Sequence, residues 1–159
     1  MSFKKFALVA SVFALAACGG SSESAPAAEE TTVAPAAETA APAAAAVTGT
    51  THEIKMIGDE KGYRFEPANL TVKTGDAIKY VFVSGGPHNV AFEGTSLSAD
   101  VKKQLDANFS AKMAELSSNM MLNAGESVTV SFAGIPAGQY PYNCTPHLAM
   151  NMKGVITVQ

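Results

Sequence analysis

One short stretch of this 159-residue chain concentrates side chains that can bind a soft metal ion. In Cys144-Thr145-Pro146-His147-Leu148-Ala149-Met150-Asn151-Met152, a thiol, an imidazole and two thioethers share one turn between two strand patterns. A second imidazole, His88, comes far upstream in Gly86-Pro87-His88-Asn89-Val90. Two imidazole nitrogens, one thiolate and a weak thioether form a donor set that suits a one-electron copper centre. Zinc prefers four strong ligands, and no second cysteine is free to complete a tetrahedron. Calcium needs oxygen clusters that this stretch lacks. Ligand type therefore selects copper, one ion per domain. Taken singly, each residue has an ordinary explanation: His88 as a satisfied core histidine, Cys144 as a small buried hydrophobe, Met152 as core filling. Their combination is what points to a metal. Met150 competes with Met152 as thioether donor. Met113, Met120 and Met121 read as packing residues, and His52 as an exposed residue at the domain's edge.

Such a site needs a rigid frame, and residues 51–159 carry the pattern of one. Ile78, Tyr80 and Phe82 share one face of a strand while Val81 and Val83 load the other. Leu70 and Val72 alternate with Thr71 and Lys73 before a Gly75-Asp76 turn, and Val128, Val130 and Phe132 alternate with Thr129 and Ser131. Tyr140, Tyr142 and Cys144 point the same way by the two-residue period, and Val155–Val158 closes the chain. About seven short strands at this spacing predict an all-β antiparallel sandwich. The exception is 97–122, where Leu97, Val101, Leu105, Phe109 and Met113 recur every four residues. One or two short helices are expected there as a covering insertion, capped by Ser98 with Asp100 in the first turn.

The residues before this domain are of a different kind. Lys4 and Lys5 precede a short apolar run, Phe6 to Ala17, which is a signal-peptide pattern and too short for a stable membrane span. Leu15-Ala16-Ala17-Cys18 resembles the lipobox of bacterial lipoproteins, in which the cysteine is lipidated and becomes the new N-terminus. Residues 18–50 are then an Ala/Pro/Glu spacer that lacks the bulky apolar surface needed to offset ordering. The resulting expectation is an exported, periplasmic-side protein anchored by lipid on Cys18. Gly19 directs it to the outer rather than the inner membrane if the cell is Gram-negative. Of the two cysteines, Cys18 is consumed by lipid, and an unpaired Cys144 outside the cytoplasm invites oxidation unless a metal occupies it. The net charge of −3, without a basic run, excludes nucleic acid as partner.

The domain resembles the cupredoxins, and within them the plastocyanin and pseudoazurin branch. The resemblance rests on Phe65-Glu66-Pro67-Ala68-Asn69-Leu70-Thr71-Val72 with Gly75-Asp76, on His88-Asn89-Val90, and on the C-x-x-H-x-x-x-x-M spacing of Cys144, His147 and Met152. It implies a Greek-key sandwich holding one type 1 copper, with His88, Cys144 and His147 as equatorial ligands. Met152, rather than Met150, would be the long axial ligand. It further implies Asn89 as a support tying the two ligand segments, and His147 as the electron port within an apolar patch of Leu148 and Met150. Pro146 has no N–H to give the Cys144 sulfur, which should raise the potential. Where plant-type plastocyanins have Tyr before the ligand Cys, this chain has Asn143 and no acidic cluster nearby. That departure disfavours a photosystem partner and favours a respiratory or denitrification-type chain. The expected function is a monomeric single-electron carrier meeting redox proteins by weak contact. The alternative is copper storage or delivery. Copper oxidase or nitrite reductase chemistry needs further His-rich sites, and of three histidines only His52 is uncommitted, so no enzyme is expected.

Overall fold

Alternation of apolar and polar residues builds ten strands in two sheets, seen in a computed structural model that describes residues 44–159. The signal segment, Cys18, Gly19 and most of the spacer lie outside the described residues. The first sheet contains β1 (Thr51–Asp59), β2 (Gly62–Glu66), β4 (Ala77–Phe82) and β8 (Ser127–Ser131), in the order β2-β1-β4-β8. The second contains β3 (Asn69–Val72), β5 (Ala91–Phe92), β6 (Lys112–Ala114), β7 (Ser117–Ser118), β9 (Gly138–Asn143) and β10 (Lys153–Val158), in the order β3-β10-β9-β5-β7-β6. Their inner faces share one core, with Ile54, Ile78, Tyr80 and Val130 from the first sheet meeting Tyr142 and Ile156 from the second.

The all-β sandwich is as expected, but not every pairing is antiparallel. β1 pairs with β4, and β3 with β10, in parallel. The route of the chain is the reason. β1 turns back as β2, the chain crosses to the other sheet as β3, and it returns as β4 running beside β1 in the same direction; parallel neighbours require such a crossover.

The segment 97–122 contains one helix, α1 (Ala99–Ala107), capped by the Ser98 hydroxyl accepting from Val101 N–H, with Asp100 in its first turn. The four-residue stripe runs on to Met113, yet the helix does not. Asn108 stops it: its backbone N–H returns to the Gln104 and Leu105 carbonyls, while its side-chain amide donates to the Ser131 and Ala133 carbonyls at 2.9 and 3.0 Å. After that stop Phe109 bridges to Val130 and is buried, but Met113 lands on β6 and is 63% exposed. Met113 is therefore not a packing residue, whereas Met121 is, at 1% exposure.

His52 also differs from its expected place as a merely exposed edge residue. Its Nε2 lies 3.0 Å from an Asp76 carboxylate oxygen. Asp76 also accepts N–H groups from Thr50 (2.8 Å) and Lys73 (3.0 Å). The Lys73 N–H first, then His52 and Thr50, hold its pKa down to about 2. The end of the stretch read as spacer is tied to the domain as well: Thr48 and Gly49 donate to the Gly75 carbonyl, and Ala45 donates to Asn108.

Gly154 on β10 lets β9 and the residue just before β3 close in. A Cβ there would run into the Ala68 carbonyl oxygen and lie 2.6 Å from the Tyr142 ring. Gly154→Ala is expected to lower the unfolding free energy by about 1–3 kcal/mol, as overpacking against backbone does. Denaturant titration of the metal-free protein checks it.

Candidate metal centre

Cys144 leaves β9 at the point where the hairpin with β10 opens. β9 and β10 are in register from Gly138↔Val158 to Asn143↔Lys153, so Cys144 and Met152 are the next residues to face each other. The Cys144 N–H donates to the Met152 carbonyl at 3.1 Å. Residues directly opposite on an antiparallel pair share a face, and both side chains are fully buried. Tyr140, Tyr142 and Cys144 all face inward, as their spacing predicts. Between the two strands runs a 3₁₀ turn, Thr145–Met150, with Pro146 near its start and Asn151 in the left-handed conformation (φ 62°) at its end. Further backbone bonds close this loop, His147 N–H to Cys144 O, Asn151 N–H to Leu148 O and Met152 N–H to His147 O.

His88 arrives from the first sheet along the loop after β4. The Met121 backbone exchanges two hydrogen bonds with it, at 3.0 and 2.8 Å, and the Phe82 ring packs edge-on at 4.9 Å. Ser118 adds a hydroxyl that accepts from Val90 N–H at 2.9 Å. The far end of the insertion is thus a buttress for the His88 loop. The His88 Nε2 lies 2.9 Å from the Ser84 carbonyl, which only an N–H can approach this way, so Nδ1 carries the lone pair. That Nδ1 is 3.5 Å from the Cys144 sulfur, and the His147 Nδ1 is 3.4 Å from it. The donor atoms of His88, Cys144 and His147 all lie within 4.8 Å of one another.

Asn89 ties the two ligand segments together. Its amide oxygen accepts Thr145 N–H at 2.7 Å, and its amide nitrogen donates to the hydroxyls of Thr145 (3.2 Å) and Ser117 (3.1 Å). Burial pushes the Cys144 thiol pKa up, opposed by backbone N–H groups of Asn89 and His147. Burial pushes His88 down, opposed by the Ser84 carbonyl, and pushes His147 down with help from the neighbouring His88. Both imidazoles therefore keep their lone pairs at neutral pH. Two neutral imidazoles and a thiol, buried and converging on one small volume, fit a soft metal ion and suit copper by donor type.

Comparison with known proteins agrees with this geometry. Residues 52–159 match the family of copper binding proteins, plastocyanin/azurin family. The chain belongs to that family.

The plastocyanin of Nostoc punctiforme is 35% identical over 118 residues, covering 72% of this chain and 78% of that protein. The plastocyanin of Scenedesmus fuscus is 37% identical over 107 residues, covering 67% and 97%. Among solved structures, the oxidised plastocyanin of Dryopteris crassirhizoma aligns with TM-score 0.52 at 28% identity, covering 67% of this chain and 99% of that one. A mutant fern plastocyanin aligns equally well, with TM-score 0.52 at 29% identity and the same coverage. As a plastocyanin/azurin-family member the protein is a type 1 copper electron carrier, and copper is its cofactor.

The remaining sequence-predicted residues of this copper protein fall as follows. Pro146 is exposed on the loop, Leu148 is 43% exposed and Met150 56% exposed, while Met120 is half-buried. Cys18 lies outside the described residues. Sequence reasoning missed Tyr63 of β2, whose ring stacks on His147 with centroids 3.7 Å apart and planes 17° apart. It also missed Ser84, Ser118 and the Met121 bridge. None of these carries a spacing signal, because each reaches the site through tertiary register.

The pKa directions set a stability optimum for the metal-free protein. His88 and His147 titrate below 6.5 when folded, so their contribution is complete above about pH 6.5 and is lost as pH falls through the folded values. Cys144 titrates above 9.0 when folded, so its contribution is complete below about pH 9 and is lost as pH rises further. Thermal unfolding without metal should show the highest Tm between these limits, declining on both sides.

Proposed function

We propose that this protein exchanges single electrons through a copper ion that His88, Cys144 and His147 would hold, with Met152 as the fourth ligand. The observation that carries the reading is the convergence of two imidazole nitrogens on one buried sulfur, 3.4 and 3.5 Å away. Met152 is favoured over Met150 because it faces Cys144 across the hairpin and is fully buried, whereas Met150 is 56% exposed. Copper, when bound, supplies a one-electron couple. The chain's own residues limit how far the ligands move: the Cys144–Met152 backbone bond fixes the hairpin mouth, Asn89 joins the loops, and the Ser84 carbonyl sets the His88 plane. Less ligand movement between oxidation states means a lower barrier to transfer. Pro146 offers the sulfur no N–H, which raises the potential relative to a residue that would donate.

His147 is the proposed electron port, flanked by the exposed side chains of Leu148 and Met150. An apolar patch of that kind suits brief contact with redox proteins. The half-buried Asn143, in place of a tyrosine, supports a respiratory or denitrification-type chain over a photosystem. A monomeric, non-enzymatic carrier is the simplest form of this reading. The sequence around Cys18 supports export and lipid anchoring on the periplasmic side, with the domain reaching partners on its Ala/Pro/Glu spacer. Carriage is favoured over storage or delivery, because the plastocyanin relatives resemble the whole domain.

Adding Cu(II) to the purified protein should give an intense absorption near about 600 nm from sulfur-to-copper charge transfer. Cys144→Ser should abolish it. An equally blue Cys144→Ser protein would overturn the ligand assignment. Loss of Cu(I) to a chelator faster than electron self-exchange would overturn the carrier role.

A further inference from the structure

The two histidines of the centre are held in unlike ways. His88 is oriented by a hydrogen bond, its Nε2 donating to the Ser84 carbonyl at 2.9 Å, and that carbonyl is itself fixed by Gly58 N–H at 2.8 Å. Among the described residues, His147 has no hydrogen-bond partner at Nε2, and its only side-chain polar contact is Nδ1 to the Cys144 sulfur. A metal-binding imidazole normally has its second nitrogen tied to an acceptor, which fixes the ring plane. At His147 the flat contact with the Tyr63 ring stands in that place, with centroids 3.7 Å apart and planes 17° apart.

The local backbone is built to deliver that ring. Tyr63 is paired with Gly58 across the β1–β2 hairpin. A Cβ on Gly58 would sit 2.7 Å from the Tyr63 ring and 2.8 Å from the Gly85 Cα. The missing side chain therefore lets the phenol lie down against β1, while Gly85, at φ 73°, lets the His88 loop pass close by. β2 is joined to the copper loop by no covalent neighbour, so the stack couples the first hairpin directly to the electron port.

We propose that Tyr63 is the positioning residue of His147, setting the plane of that imidazole as the Ser84 carbonyl sets that of His88. Its consequence for electron transfer rests on the copper-carrier reading, but the positioning itself belongs to the polypeptide and is present without metal. The aromatic face, not the hydroxyl, does the positioning.

The test compares the full chain with Tyr63→Leu, which keeps apolar bulk, and Tyr63→Phe, which keeps the stack. In the metal-free protein, imidazole NMR should show one narrow His147 signal in wild type and Tyr63→Phe. In Tyr63→Leu the displaced ring orientation should gain roughly 2- to 10-fold in population, with exchange broadening larger at His147 than at His88, whose plane the Ser84 carbonyl still fixes. After copper loading, self-exchange should slow in Tyr63→Leu and recover in Tyr63→Phe. Unchanged His147 signals in Tyr63→Leu, or a Tyr63→Phe that behaves like Tyr63→Leu, would overturn the proposal. If Tyr63→Leu does not fold, the wild-type protein decides: ring-to-ring proton contacts between Tyr63 and His147 support the stack, and their absence removes it. A wild type without the blue band would refute the copper reading alone, because the metal-free comparison still reads Tyr63.

Discussion

Everything at this end of the sandwich is arranged around one buried sulfur. A thiol with no solvent contact resists ionisation, and the Cys144 pKa is raised accordingly. Only a cation in the same volume makes the thiolate stable there, so metal binding and deprotonation are one event. The two imidazoles that would share the ion are kept neutral by the same burial. Burial thus sets up a pocket whose groups are mutually tolerable without metal and become strong ligands once the thiol proton leaves.

Rigidity follows from where the donors are attached. Cys144 and Met152 stand at the mouth of the β9–β10 hairpin, His147 on the turn between them, and His88 on a loop of the opposite sheet. Asn89 and Thr145 join the two ligand segments by paired hydrogen bonds, and the Met121 bridge fixes the His88 backbone from a third direction. The segment 97–122 consequently does more than cover the sandwich flank. Its helix is locked to the first sheet through Asn108, and its returning strand supplies Ser117, Ser118 and Met121 to the site. A carrier gains from such bracing, since each ligand that stays in place on electron gain removes part of the reorganisation barrier.

How much of this was legible beforehand depended on range. The converging side chains were readable because Cys144 and His147 sit within one loop and His88 in a compact phrase. The inward run of Tyr140, Tyr142 and Cys144, the Ser98 cap and the Gly75-Asp76 turn were readable because they are local. The parallel pairings were not, since strand direction depends on which sheet the chain enters next. Met113 continued a helical stripe on paper, but Asn108 ends the helix by bonding to the Ser131 and Ala133 carbonyls, residues far along the chain. Tyr63 left no trace in spacing for the same reason, and His52 looked like a loose edge residue until Asp76 folded back beside it.

The central claim is that one sulfur and two imidazoles surround a single copper, and X-ray absorption at the copper edge of the loaded protein addresses it most directly. The account predicts a first shell of one short sulfur and two imidazole nitrogens, in equal stoichiometry with the protein. A shell of nitrogen and oxygen only, with no short sulfur, would contradict it.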